Sequence, residues 1–215
     1  MLGGKHRLAA LLAALVTAGC GFGGALPVRA QQTTAQGKPV RDVVLASTTL
    51  PGHGGQILEL VDARGHFLHN RVVGPFQGDN WTGSFQLRVI SAGGQTISAL
   101  TLPRQEFTLF MRRFRFSFAD YSGDGSTEFA LGQYRSSNVS GYVIFALEPH
   151  GLRRLPVSGG EVLAEPNLGY SPAFPLAGRG AFTSTYYDNA ATTWYKVTYR
   201  WTGRKFSQSR AAYTP

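Results

Sequence analysis

Between Phe114 and Leu131 the chain reads FRFSFADYSGDGSTEFAL, and no other run limits the available folds as much. Phe114, Phe116 and Phe118 alternate with Arg113, Arg115 and Ser117. Side chains of a strand point to opposite faces in turn, so this predicts a strand with aromatic residues inward and basic residues outward. Asp120, Ser122, Asp124 and Glu128 then stand at positions 1, 3, 5 and 9 of a short loop, with Gly125 at position 6. Oxygen-bearing side chains at alternate positions, and a glycine where the chain must turn sharply, predict a loop for a hard cation. An EF-hand is excluded, because position 12 is Leu131 and no flanking helix is readable. The same Phe and Arg residues would also suit a platform for single-stranded nucleic acid. A core strand with a solvated outer face needs just this alternation, so no nucleic acid partner is expected.

From Asp42 onward the pattern is that of a β protein. No stretch of a dozen residues places apolar side chains at i, i+3, i+4 and i+7 among helix formers, and turn signals recur at short intervals. Four segments share one plan of strand, glycine turn and strand: 55–73, turning at Asp62–Gly65; 84–102, turning at Ala92–Gly94; 142–157, turning at Glu148–Gly151; and 194–209, turning at Trp201–Gly203. A glycine at each turn supplies the left-handed backbone that a tight hairpin requires. Hairpins of one type in series predict an all-β fold of antiparallel hairpins in blade-like repeats. That fold is a small or incomplete β-propeller, or alternatively a β-sandwich built from the same hairpins. About four blades of 40 to 50 residues would fit in the chain.

The N-terminus predicts export. Lys5 and Arg7 precede an uncharged apolar stretch, residues 8–18, that is too short to span a bilayer, so residues 1–30 read as a secretory signal. Two cleavage readings stay open. Val28-Arg29-Ala30 suits a signal peptidase cutting before Gln31, while Thr17-Ala18-Gly19-Cys20 has the form of a lipobox, in which Cys20 would be acylated and begin the mature chain. Residues 31–41 are polar and aperiodic and read as a flexible linker, leaving 42–215 as a single all-β domain. Cys20 is the only cysteine, so no disulfide framework is available and burial must hold the domain together. Loss of residues 1–30 leaves 18 of the 21 basic residues against 12 acidic ones. The remaining positive charges are mostly arginines scattered singly, which describes a soluble cationic surface. The partners expected are a cell-envelope polysaccharide or another surface protein, with membrane contact only through a lipid on Cys20. The location is periplasmic or extracellular.

The segment FADYSGDGSTEFALGQY, followed by the hairpin at 142–157, resembles the FG-GAP or VCBS-type repeat, the calcium-binding blade of integrin-like β-propellers. The resemblance covers residues 114–157. Asp120 and Asp124 match the first and third ligands of that family and Gly125 its turn glycine, while Ser122 replaces an Asn or Asp and Glu128 replaces an Asp. The resemblance implies structural calcium held by Asp120, Ser122, Asp124, the Ser126 carbonyl and Glu128. Three carboxylates with a neutral Ser122 suggest modest affinity, about 10⁻⁴ to 10⁻³ M.

Other candidates carry less. Asp79, with Asn80 and Trp81, and Asp188, beside Tyr187 and Asn189, stand at inter-strand corners where an aromatic ring could face a sugar. With Glu165 they are the carboxylates available to a second reading, a carbohydrate-active or other hydrolytic enzyme on a propeller-like scaffold. His53 lies in a glycine run, but no G-x-S-x-G nucleophile elbow occurs anywhere. His66, His69 and His150 lack partners at metal-ligand spacing. The expected function is therefore a non-enzymatic, calcium-stabilised binding or scaffolding module.

Overall fold

The computed structural model describes residues 37–69, 78–103, 108–109 and 114–215. The signal segment, Cys20 and residues 31–36 of the expected linker lie outside the described residues. Residues 35–215 belong to one compact unit. The fold is all-β, as expected, and consists of three antiparallel sheets that do not close into a barrel.

The first sheet contains β1 (Lys38–Val40), β2 (Val43–Thr49), β3 (Ile57–Leu68), β4 (Asn80–Ile90), β5 (Thr96–Thr101) and β6 (Thr108–Leu109). Its spine is the long β3–β4 pair; β1 and β2 share one edge of β3, and β5 and β6 share the far edge of β4. The second sheet contains β7 (Phe118–Ala119), β8 (Thr127–Ser136), β9 (Val139–Glu148), β10 (Gly151–Leu155) and β11 (Val162–Ala164). It runs β7-β8-β9, with β10 and β11 sharing the outer edge of β9. A 3-10 turn, Pro166–Leu168, leads towards the third sheet, β12 (Ala181–Asp188), β13 (Thr193–Trp201) and β14 (Phe206–Tyr213). There Leu176 bridges Phe182 and gives β12 the beginning of an outer neighbour. The three sheets thus have six, five and three strands, and only the third is a simple meander.

Two hydrophobic clusters locate the second sheet between the other two. Leu58, Leu60, Phe85 and Leu87 of the first sheet pack with Phe129, Leu131, Val143 and Phe145 of β8 and β9. Ala130, Tyr142, Ile144 and Ala146, the alternate residues of the same two strands, pack with Phe182, Val197, Tyr199 and Phe206 of the third sheet. A sheet covered on both faces needs apolar side chains at every position, and for this reason Phe129–Leu131 and Tyr142–Ala146 read as unbroken apolar runs.

Three of the four expected hairpins form. Their turn glycines, Gly94, Gly151 and Gly203, have φ of 82°, 127° and 83°, and each introduces the final hairpin of one sheet. The fourth expectation, a turn at Asp62–Gly65, is not what the chain does: β3 runs straight through with a bulge between Asp62 and Arg64. Gly65 is required there by close approach, since a Cβ would overlap the Thr82 carbonyl oxygen and both Asp62 carboxylate oxygens. Unusually long strands in the first sheet leave material for three sheets where four were expected. The expected linker also ends early, because Lys38–Val40 pairs with Gly65–Phe67 as β1.

Candidate functional site

The acidic loop joins β7 to β8, the first two strands of the central sheet. Phe116 is buried, Phe114 and Phe118 pack against the same cluster, and Arg115 is exposed, so the aromatic-inward alternation holds although regular pairing begins only at Phe118. Arg113 lies outside the described residues.

The carboxylates hold the loop by its backbone. Asp120 Oδ1 accepts hydrogen bonds from the amides of Gly123 and Asp124, at 2.7 and 3.1 Å, and its Oδ2 accepts one from Gly125 at 3.0 Å. Asp124 Oδ1 accepts the Ser126 amide at 2.8 Å. Glu128 points into the protein, only 1% exposed, and its Oε2 accepts the amides of Tyr121 and Ser122 at 2.7 and 2.9 Å. Gly123 and Gly125, with φ of 76° and 90°, permit the sharp path that aims these amides inward. Hydrogen bonds from Ser126 hold the Asp124 carboxyl below the usual carboxylate range. Burial pushes Glu128 up, although bonds from Ser122 and Tyr121 offset part of that cost.

The Ser122 hydroxyl is buried between the Asp124 and Glu128 carboxylates, and its interaction with each lowers that carboxyl's pKa. Among the described residues, no three histidine, cysteine, aspartate or glutamate side chains stand together closely enough to hold a metal ion by themselves. Any cation here would be held by a mixed oxygen set. Asp120, Asp124 and the Ser122 hydroxyl fit a hard cation in donor chemistry, whereas Glu128 is turned towards the amides.

Turns from the flanking sheets meet this loop. His53 Nε2, in the β2–β3 turn, lies 3.1 Å from Thr127 Oγ1. On the other side Arg179 Nε donates to the Gly123 carbonyl at 2.8 Å, and the Gly123 and Gly180 backbones approach too closely for a side chain on Gly123. The loop is therefore a junction of all three sheets, which the sequence did not signal.

The remaining candidates are dispersed. Asp79 lies 2.7 Å from His69 Nδ1 on an exposed surface. Asp188 Oδ1 accepts the amides of Ala190 and Ala191, at 3.0 and 3.2 Å, within the β12–β13 turn. Glu165 accepts the Thr185 hydroxyl. Trp81 packs against Phe67, with centroids 4.7 Å apart, and Tyr187 against Trp194 at 5.5 Å. Two features passed unnoticed in the sequence. One is Asp62, fully buried with neither oxygen in a good hydrogen bond; an acid at the next inward position after Leu58 and Leu60 was its only signal. The other is an uncharged cleft beside β8 and β9, lined in part by Tyr134, Asn167 and Tyr170, whose parts are too distant in the chain to be read together.

No protein-family model, curated protein or solved structure matches this chain.

Proposed function

We infer that this is an exported, non-enzymatic, calcium-stabilised β-repeat domain serving as a binding or scaffolding module of the cell envelope. The observation that carries this reading is the disposition of its carboxylates. Asp120, Asp124 and Glu128 bind backbone amides at the junction of three sheets, while Asp79, Asp188 and Glu165 are each engaged locally at separate places. A glycosidase of the two-carboxylate kind would need two such groups converging on one cleft. The signal-like N-terminus, with Cys20 as a lipid attachment point under one cleavage reading, supports the envelope location.

Calcium would be held by Asp120, Asp124 and Ser122 with the Ser126 carbonyl, while Glu128, the fifth ligand implied by the FG-GAP/VCBS resemblance, holds the Tyr121 and Ser122 amides instead. Its contribution is charge compensation, which reduces the repulsion between neighbouring carboxylates. The buried Ser122 hydroxyl supports this as a neutral oxygen donor set between the Asp124 and Glu128 carboxylates.

Scanning calorimetry with millimolar calcium or with chelator tests the metal. Calcium at about ten times its Kd stabilises the native state by about 1.4 kcal/mol. For a domain of this size that raises Tm by about 3 to 4 °C. Asp124→Asn should abolish the rise. An unchanged Tm in the wild type would rule the calcium out.

A further inference from the structure

A cleft of about 270 Å³ opens between β8, β9 and the Pro166–Leu168 turn, at a distance along β8 from the acidic loop. Its walls are fixed by side chains that bond across elements. Ser140 Oγ donates to the Pro166 carbonyl at 3.4 Å, Tyr142 Oη to the Gly169 carbonyl at 2.8 Å, and Gly132 N to the Tyr170 carbonyl at 2.9 Å. Tyr134 Oη donates to Asn167 Oδ1 at 3.2 Å. In this orientation the Asn167 NH₂ group, two donors, is left for a ligand. Tyr134, Tyr170 and Gln133 belong to the lining, the Tyr170 ring also packs on Phe114 with centroids 5.3 Å apart, and no lining residue is charged.

We propose that this cleft binds one residue of an uncharged glycan, with Tyr134 and Tyr170 providing ring contacts and the Asn167 NH₂ group donating to a sugar hydroxyl or acetamido oxygen. A sugar ring has apolar C–H patches that pack on aromatic rings and an equatorial belt of hydrogen-bonding groups, so it needs both kinds of lining at once. An acidic polymer or an anionic headgroup would leave its charge without a cation here. A purely apolar ligand would bury the Asn167 amide unpaired, which costs affinity. This assignment rests on the binding role inferred above and gives it a ligand class.

Calorimetric titration of the full chain with short neutral oligosaccharides, β-glucans and N-acetylhexosamine polymers among them, tests it. Saturation below about 10 mM sugar is expected. Tyr170→Ala should weaken binding about tenfold, read on protein whose fold is confirmed by its melting transition because the Tyr170 ring also packs on Phe114. Asn167→Ala should weaken it about threefold with Tm unchanged, since Asn167 is exposed and lies outside both cores. Absence of binding to every oligosaccharide tried, or affinity that neither substitution alters, overturns the assignment. Cosedimentation with insoluble wall polysaccharide separates the cleft from the wider role. If wild type and Tyr170→Ala sediment alike, the envelope role stands and the cleft assignment falls; if the wild type stays in solution, both fall.

Discussion

Asp62 occupies the inward face of β3, two positions beyond Leu60, where a leucine would continue the core. Burial pushes its carboxyl up to about 6, and nearby His66 and the Arg64 amide only partly counter this. Because the folded-state value lies above the ordinary 3.8, the folded protein binds more protons than the unfolded chain between pH 4 and 6. Its contribution to stability is thus fully present below about pH 4 and is lost as pH rises through about 6. A two-unit shift corresponds to about 3 kcal/mol as an upper bound. Urea denaturation between pH 4 and 8 should show Asp62→Asn flattening this part of the profile and raising stability at pH 8 by about 1 to 2 kcal/mol. An unaltered profile would mean that the carboxylate finds a partner in solution. The residue also explains Gly65: the carboxylate lies over that α-carbon in the space a side chain would fill.

At the scale of the element, the β7–β8 loop shows what a sequence can and cannot disclose. Its glycines, its flanking strands and its register were legible because turn chemistry and period-two alternation are local. The turns at Gly94, Gly151 and Gly203 were legible for the same reason. Gly65 was misread because a glycine required for close approach looks the same in sequence as one required for positive φ. The inward turn of Glu128 was not legible either, since it depends on the amides of Tyr121 and Ser122 being presented by a loop already folded. That makes Glu128 the pin of the hairpin. Glu128→Ala leaves two buried amides unsatisfied and a cavity, a loss of about 3 to 5 kcal/mol. Glu128→Gln retains an acceptor oxygen and should cost about 1 to 2 kcal/mol. Chemical denaturation in the presence of chelator separates this from any metal effect, and an alanine variant within about 1 kcal/mol of wild type would show that the pin is dispensable.

Across the whole molecule, the stacking of three sheets makes stability uneven in a predictable direction. β8 and β9 are buried on both faces, and their side chains belong to both hydrophobic clusters. β5 and β14 are exposed along most of their length, although Phe206 anchors the start of β14 in the second cluster. The faces of the end sheets turned from the central one carry Gln86 and Arg88 beside the buried Val61 on one side, and Thr183, Thr185, Lys196 and Thr198 beside the Tyr187–Trp194 pair on the other. Amide exchange reads this arrangement directly, because an amide whose neighbours are covered on both sides opens only when the core does. Hydrogen exchange followed by mass spectrometry should find the peptides of Glu128–Leu131 and Tyr142–Ala146 exchanging only through global unfolding. Those of Thr96–Thr101 and Ser207–Tyr213 should exchange orders of magnitude sooner through local fraying. Equal protection of β14 and β9 would require something to cover the outer strand in solution, and the third sheet would then be an internal layer of a larger assembly.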